Sequence, residues 1–152
     1  MDEVTFDIRG IIQLSGREAE QQLSVKFPQE VTNISVQQKG QKLHFLHCCG
    51  WSSPQGTQIG TYVVHYDNGE TRQIPIVYGV DVRDWWMAQE ESATSEAKVV
   101  WTGKNHARAD SPPIGVCKTT WENPLSDVTI EKIDFQSSMQ NSAPFLIAIT
   151  IE

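Results

Sequence analysis

The chain has 152 residues, is 39% hydrophobic and 20% charged, and is long enough for one domain with its own core. Its 19 acidic residues against 12 basic ones give a net charge of −7, with no basic run. That excludes a protein that tracks nucleic-acid phosphates or an anionic membrane surface, and no apolar run approaches the roughly 20 residues that span a bilayer.

The first ten residues, MDEVTFDIRG, are acidic and then strand-like. A signal peptide needs a basic start followed by an apolar run, so the expectation is a cytosolic chain or one released from a leader or a larger parent. Residues 4–14 read as one extended stretch broken at Gly10, with Val4, Phe6 and Ile8 alternating and Ile12 and Leu14 continuing the parity. Ser15 to Gln22 is polar and could hold one helical turn without an apolar face. Leu23 to Phe27 alternates and stops at Pro28, which predicts a half-buried strand. Val31 to Val36 predicts another, with Ile34 and Val36 on one face.

Leu43 to Cys49 is the most apolar early strand, ended by Gly50 and the loop Trp51 to Gly56. Next comes a hairpin. Tyr62, Val64 and Tyr66 share one face, and Asp67-Asn68-Gly69 is a tight-turn signal because Asn and Gly tolerate positive φ. Pro75 lacks an N–H, so its strand belongs at a sheet edge or at a bulge. Trp86 to Ala97 predicts a long exposed loop, with a short helix over Trp85–Glu91 as the alternative. Lys98 to Trp101 predicts a strand, residues 102–113 a second long loop, and Ile114 to Trp121 a strand closed by a turn at Glu122-Asn123-Pro124. The apolar spacing of Val128, Ile130, Ile133 and Phe135 changes phase at Glu131-Lys132, as a β-bulge would make it. Phe145 to Ile151 predicts a central, buried final strand. About ten short strands with almost no helix and no linker predict a single all-β domain over residues 1–152, an antiparallel β-sandwich or barrel.

Several segments together carry a resemblance: FDIRGIIQL, LHFLHCCGW, GTYVVHYDNGETRQIPIVYGVDVRDWW, VVWTGKN, KTTWENPLSDVTIEKIDFQSS and APFLIAITIE. The chain resembles a jelly-roll β-sandwich of the galactose-binding-like kind, found in accessory domains of bacterial glycoside hydrolases and in surface proteins. The resemblance implies a non-catalytic module that binds carbohydrate through loops at one end. It also implies an extracytoplasmic setting, and it is compatible with a structural calcium, although no motif at Asp67, Asn68 or Glu70 matches one.

No enzyme signature stands out. The HxxHCC run formed by His44, His47, Cys48 and Cys49 alternates on a strand, so its four side chains point to opposite faces. That is an expectation of core and sheet-face residues, not a metal site. Cys48, Cys49 and Cys117 are odd in number, and vicinal cysteines bridge with strain, so reduced buried thiols are expected; these favour a reducing compartment. No GxSxG elbow is present, and the adjacent acids Glu90-Glu91 fit a solvated loop better than a glycosidase pair. Asp84 beside Arg83 is expected to form a salt-bridged brace.

The five tryptophans are more informative. Aromatic faces pack against the C–H face of a pyranose, and fixed polar groups take its hydroxyls. Trp51, Trp85 and Trp86 border loops, with Arg83, Asn105, His106 and Arg108 as polar neighbours, and these seven are the expected ligand contacts. The alternative is a structural or protein-interaction sandwich without a small-molecule ligand. Its partners would be copies of itself or domains of a parent protein.

Overall fold

The structure, a computed structural model, describes residues 3–87 and 96–152. The expected loop over residues 88–95 lies outside the described residues, and so does most of the alternative helix. Its first residues, Trp85 to Met87, are not helical. Among the described residues there are nine strands and one helix. These are β1 (Ile12–Gln13), α1 (Arg17–Gln22), β2 (Glu30–Gln38), β3 (Lys42–Gly50), β4 (Gln58–Tyr66), β5 (Thr71–Val77), β6 (Val99–Gly103), β7 (Ile114–Glu122), β8 (Ile130–Ser137) and β9 (Ala143–Ile151).

Two antiparallel sheets form, ordered β1-β9-β3-β7-β6 and β2-β8-β4-β5. They share one core, so the architecture is a β-sandwich, not a barrel. Leu43, Phe45 and Cys49 face inward from the five-stranded sheet, against Tyr62, Val64, Tyr66, Ile133 and Phe135 from the other. The alternation in the hairpin predicts this, because successive side chains on a strand take opposite faces. Tyr62 stacks between Phe45 and Phe135, with ring centroids 4.2 and 5.0 Å away.

Turn chemistry behaves as the residue types demand. Gly69 closes the β4–β5 turn at φ 87, and β5, which carries Pro75, is an edge strand. The phase change in β8 is a bulge. Adjacent His65 and Tyr66 on β4 face Lys132 and Ile130, leaving Glu131 as the extra residue.

Three expectations are corrected. Residues 3–11 are extended but pair with no strand, and only Ile12 and Gln13 add to β9. Leu23 to Phe27 is irregular, with Leu23 and Val25 exposed. The final strand β9 lies inside its sheet, but β1 covers only Leu146 and Phe145, and residues 147–151 are half-buried. The first two stretches alternate without a neighbouring strand to complete a backbone ladder, whereas β9 pairs with β3 along its length and is covered by β1 only over its first part.

Candidate functional site

Beyond the hairpin, the chain makes a tight turn that delivers Arg83, Trp85 and Trp86. Gly79 sits at φ +81 and its N–H donates to the Val82 carbonyl (2.7 Å), while Asp81 Oδ2 accepts the Val77 N–H (2.8 Å). The loop before β4 locks this turn: Gln55 donates to the Gly79 carbonyl (3.1 Å) and Gly56 N–H to the Tyr78 carbonyl (2.9 Å). The next residues run beside the end of β3. Arg83 carbonyl accepts from Cys48 Sγ (2.9 Å), Cys49 Sγ (3.1 Å) and Cys49 N–H (3.3 Å), and Trp85 N–H donates to the Cys49 carbonyl (2.8 Å). The brace is therefore main chain. Among the described residues Arg83 and Asp84 form no ion pair with each other, and Asp84 Oδ1 instead accepts the Trp86 N–H (3.2 Å).

Trp85 and Trp86 do not part to opposite sides as residues of a regular strand would. Their ring centroids lie 5.0 Å apart, and Trp85 also meets Phe145 edge-on at 6.0 Å. Both are half-buried. Trp85 carbonyl accepts the Gly115 N–H and Met87 N–H donates to the Pro113 carbonyl, each at 2.8 Å. These bonds stitch the tryptophan pair to the foot of the loop that holds residues 104–113.

Trp51 reaches the same region from the other side. It is bulky and yet has φ 62, a left-handed conformation that costs about 1 kcal/mol or more outside glycine. Buried serines hold it there. Ser53 Oγ and Ser142 Oγ lie 2.7 Å apart, and Ser142 Oγ donates to the Trp51 carbonyl at 2.9 Å. Trp51 and Trp85 line one hollow of about 240 Å3 with Leu23, Phe27, Phe145 and Gln13. Among the described residues Gln13 is the one lining side chain with an amide. The amide nitrogen donates to the Leu14 carbonyl at 2.8 Å, so Oε1 is the group left to accept from a ligand.

Asn105, His106 and Arg108 line a second hollow, of about 520 Å3, with Lys104, Ser111 and Pro113. Asn105 Oδ1 accepts the Ala107 N–H (3.0 Å) and shapes the loop. Of the seven expected contacts, Trp51 and Trp85 share a hollow, Trp86 leans on Trp85, and the three loop residues share the second hollow. Arg83 lines neither; it is 4% exposed.

Comparisons with protein families, with curated proteins and with solved structures found no match to this chain.

His44 and His47 separate as the alternation predicts. His44 Nε2 lies 2.9 Å from Glu152, whereas His47 is enclosed between the sheets, where burial pushes its pKa down to about 3. Ser53, Ser142 and Gln13 have no signal in the sequence, because their roles depend on partners distant along the chain. Trp101 does have a signal that the seven omit: a glycine two residues on, at Gly103, on the same side of the strand.

Proposed function

We propose that the chain is a non-catalytic carbohydrate-binding module of the galactose-binding-like jelly-roll kind. A sugar ring sits in the hollow between Trp51 and Trp85, and the neighbouring residues of the 104–113 loop take further hydroxyls. The observation that carries this reading is the strained backbone of Trp51. A bulky residue held in a left-handed conformation by two buried serines, beside a second half-buried tryptophan, is an investment that core packing alone does not require. The hollow falls below the roughly 300–1,000 Å3 of drug-sized sites, so it suits one ring, not a chain of rings. Gln13 Oε1 supplies an acceptor at its wall.

The test is a glycan array followed by calorimetry on the best hits. Wild type should bind, and Trp51→Ala and Trp85→Ala should each weaken binding by about tenfold, the loss of one aromatic contact. No binding to any glycan, or binding unchanged in both variants, would overturn the reading in favour of an interaction domain without a small-molecule ligand.

A further inference from the structure

The segment after Val82 is a wedge in the five-stranded sheet. β3 and β7 pair antiparallel from Lys42 and Glu122 as far as His47 and Cys117. Beyond that point residues 83–86 enter between them. On one side of the wedge, Cys49 N–H donates to the Arg83 carbonyl and Trp85 N–H to the Cys49 carbonyl. On the other, Gly115 N–H donates to the Trp85 carbonyl, beside an antiparallel bridge between Trp86 and Ile114. Two thiols mark the fork. Cys48 Sγ and Cys117 Sγ lie 3.8 Å apart, and both residues are fully buried.

The third cysteine packs elsewhere. Cys49 belongs to the core between the sheets, whereas Cys48 and Cys117 share a separate cluster with Phe145, against which Trp85 packs. Cys48 Sγ donates its proton to the Arg83 carbonyl at 2.9 Å, so the proton between the two sulfurs belongs to Cys117. That contact pulls the pKa of Cys48 below that of an ordinary thiol and pushes that of Cys117 up. Buried cysteines commonly serve as small apolar packing. Packing alone does not require two thiols in contact with opposite acidities. The sulfurs have about 1.8 Å to close to reach the roughly 2.05 Å of a disulfide.

We propose that Cys48 and Cys117 are a redox modification site, a thiol pair that hydrogen peroxide closes to a reversible cross-strand disulfide. The Cys48 sulfur attacks one peroxide oxygen and the O–O bond breaks. The departing hydroxide takes up the Cys48 proton as water, and Cys48 is left as a sulfenic acid. The Cys117 sulfur then attacks the sulfenic sulfur and the S–O bond breaks. Hydroxide leaves with the Cys117 proton as a second water. Two thiols are oxidised and one peroxide is reduced. The Arg83 carbonyl loses the Cys48 S–H but keeps the Cys49 N–H and S–H, so the wedge stays anchored. A dithiol reductant reopens the bond by exchange. The pair lines neither hollow of the glycan reading, so it stands or falls separately from it.

The experiment treats the full, reduced chain with hydrogen peroxide under native conditions and removes the oxidant with catalase. The protein is then unfolded, alkylated and mapped as peptides without reduction. Alkylation should fall from three thiols per chain to one, at Cys49, with Cys48 joined to Cys117 of the same chain, and dithiothreitol should restore all three. Cys49→Ser should form the same link, and Cys117→Ser should stop at a Cys48 sulfenic acid that dimedone traps. Retention of all three thiols by wild type, a link through Cys49, or links found only between chains would overturn the proposal. The mapping of wild type decides by itself and holds even if Cys117→Ser fails to fold.

Discussion

His47 Nδ1 lies 2.8 Å from the Tyr62 hydroxyl, joining the two sheets through the middle of the core. On the other side of the ring, Nε2 lies 2.8 Å from Thr119 Oγ1, which donates in turn to the Asp81 carbonyl at 3.4 Å. One assignment of protons satisfies the whole chain: Tyr62 O–H to Nδ1, Nε2–H to Thr119, and Thr119 O–H to Asp81. The network requires a neutral imidazole. It also links the core to the turn that presents the tryptophan pair.

Acid should therefore destabilise the protein through His47. The unfolded imidazole takes its proton near 6.5, whereas burial holds the folded one down to about 3. The unfolded state binds the proton first as pH falls. Stability from this group is complete above the unfolded value, is lost at about 1.4 kcal/mol per pH unit below it, and levels off near the folded value. Urea titrations near pH 7 and pH 4.5 should show wild type losing about 2–3 kcal/mol more than His47→Gln. Equal losses would refute a neutral, buried His47.

Tyr62→Phe keeps the stack with Phe45 and Phe135 but removes the donor to Nδ1. A buried acceptor left without its partner costs about 1–3 kcal/mol. Denaturant midpoints should fall accordingly with an unchanged m-value; a neutral result would mean that water or another group replaces the hydroxyl.

Gly79→Ala meets two obstacles. The φ of +81 disfavours any side chain, and the new Cβ would fall 1.8 Å from Gln55 Oε1. A loss of about 1–3 kcal/mol is expected from the two together. Adding Gln55→Ala should recover only the contact part. Full recovery in the double variant, measured by thermal unfolding, would show that the backbone is not strained.

Ser142→Ala tests the support beneath Trp51. It removes the hydroxyl that donates to the Trp51 carbonyl and meets Ser53 Oγ, while Ser53 Oγ still accepts the Ser142 N–H, at a cost of about 1 kcal/mol. Any glycan affinity measured for wild type should fall with it, because the serine holds the strained backbone that aims the ring. Lost stability with affinity intact would confine Ser142 to a structural role.

The places of most strands along the chain were legible in the residues, though not their order in the sheets. Tyr62, Val64 and Tyr66 had to share a face, and Asn68-Gly69 had to turn. Pro75 had to avoid a central ladder, and the Glu131 phase change had to be a bulge. Each follows from geometry local to a few residues. The N-terminal stretch misled because alternation reports which side chains share a face, not whether a neighbouring strand completes the hydrogen bonds. Val4, Phe6 and Ile8 do share a face, but it closes over a groove instead of entering a sheet.

For the candidate site, residue type alone pointed to Trp51, Trp85 and Trp86 but equally to Arg83. In the tertiary structure Trp51 and Trp85 line one hollow, whereas Arg83 is buried and its carbonyl is held by Cys48 and Cys49. Ser142 lies 91 residues from Trp51, and no local pattern could have announced that contact. By itself the sequence determined most of the strands, the inward face of the central hairpin and the all-β class, since those depend on side-chain period and turn chemistry. Only the tertiary structure decided which aromatic faces stay open and which polar groups stand beside them, because exposure depends on what the rest of the chain covers.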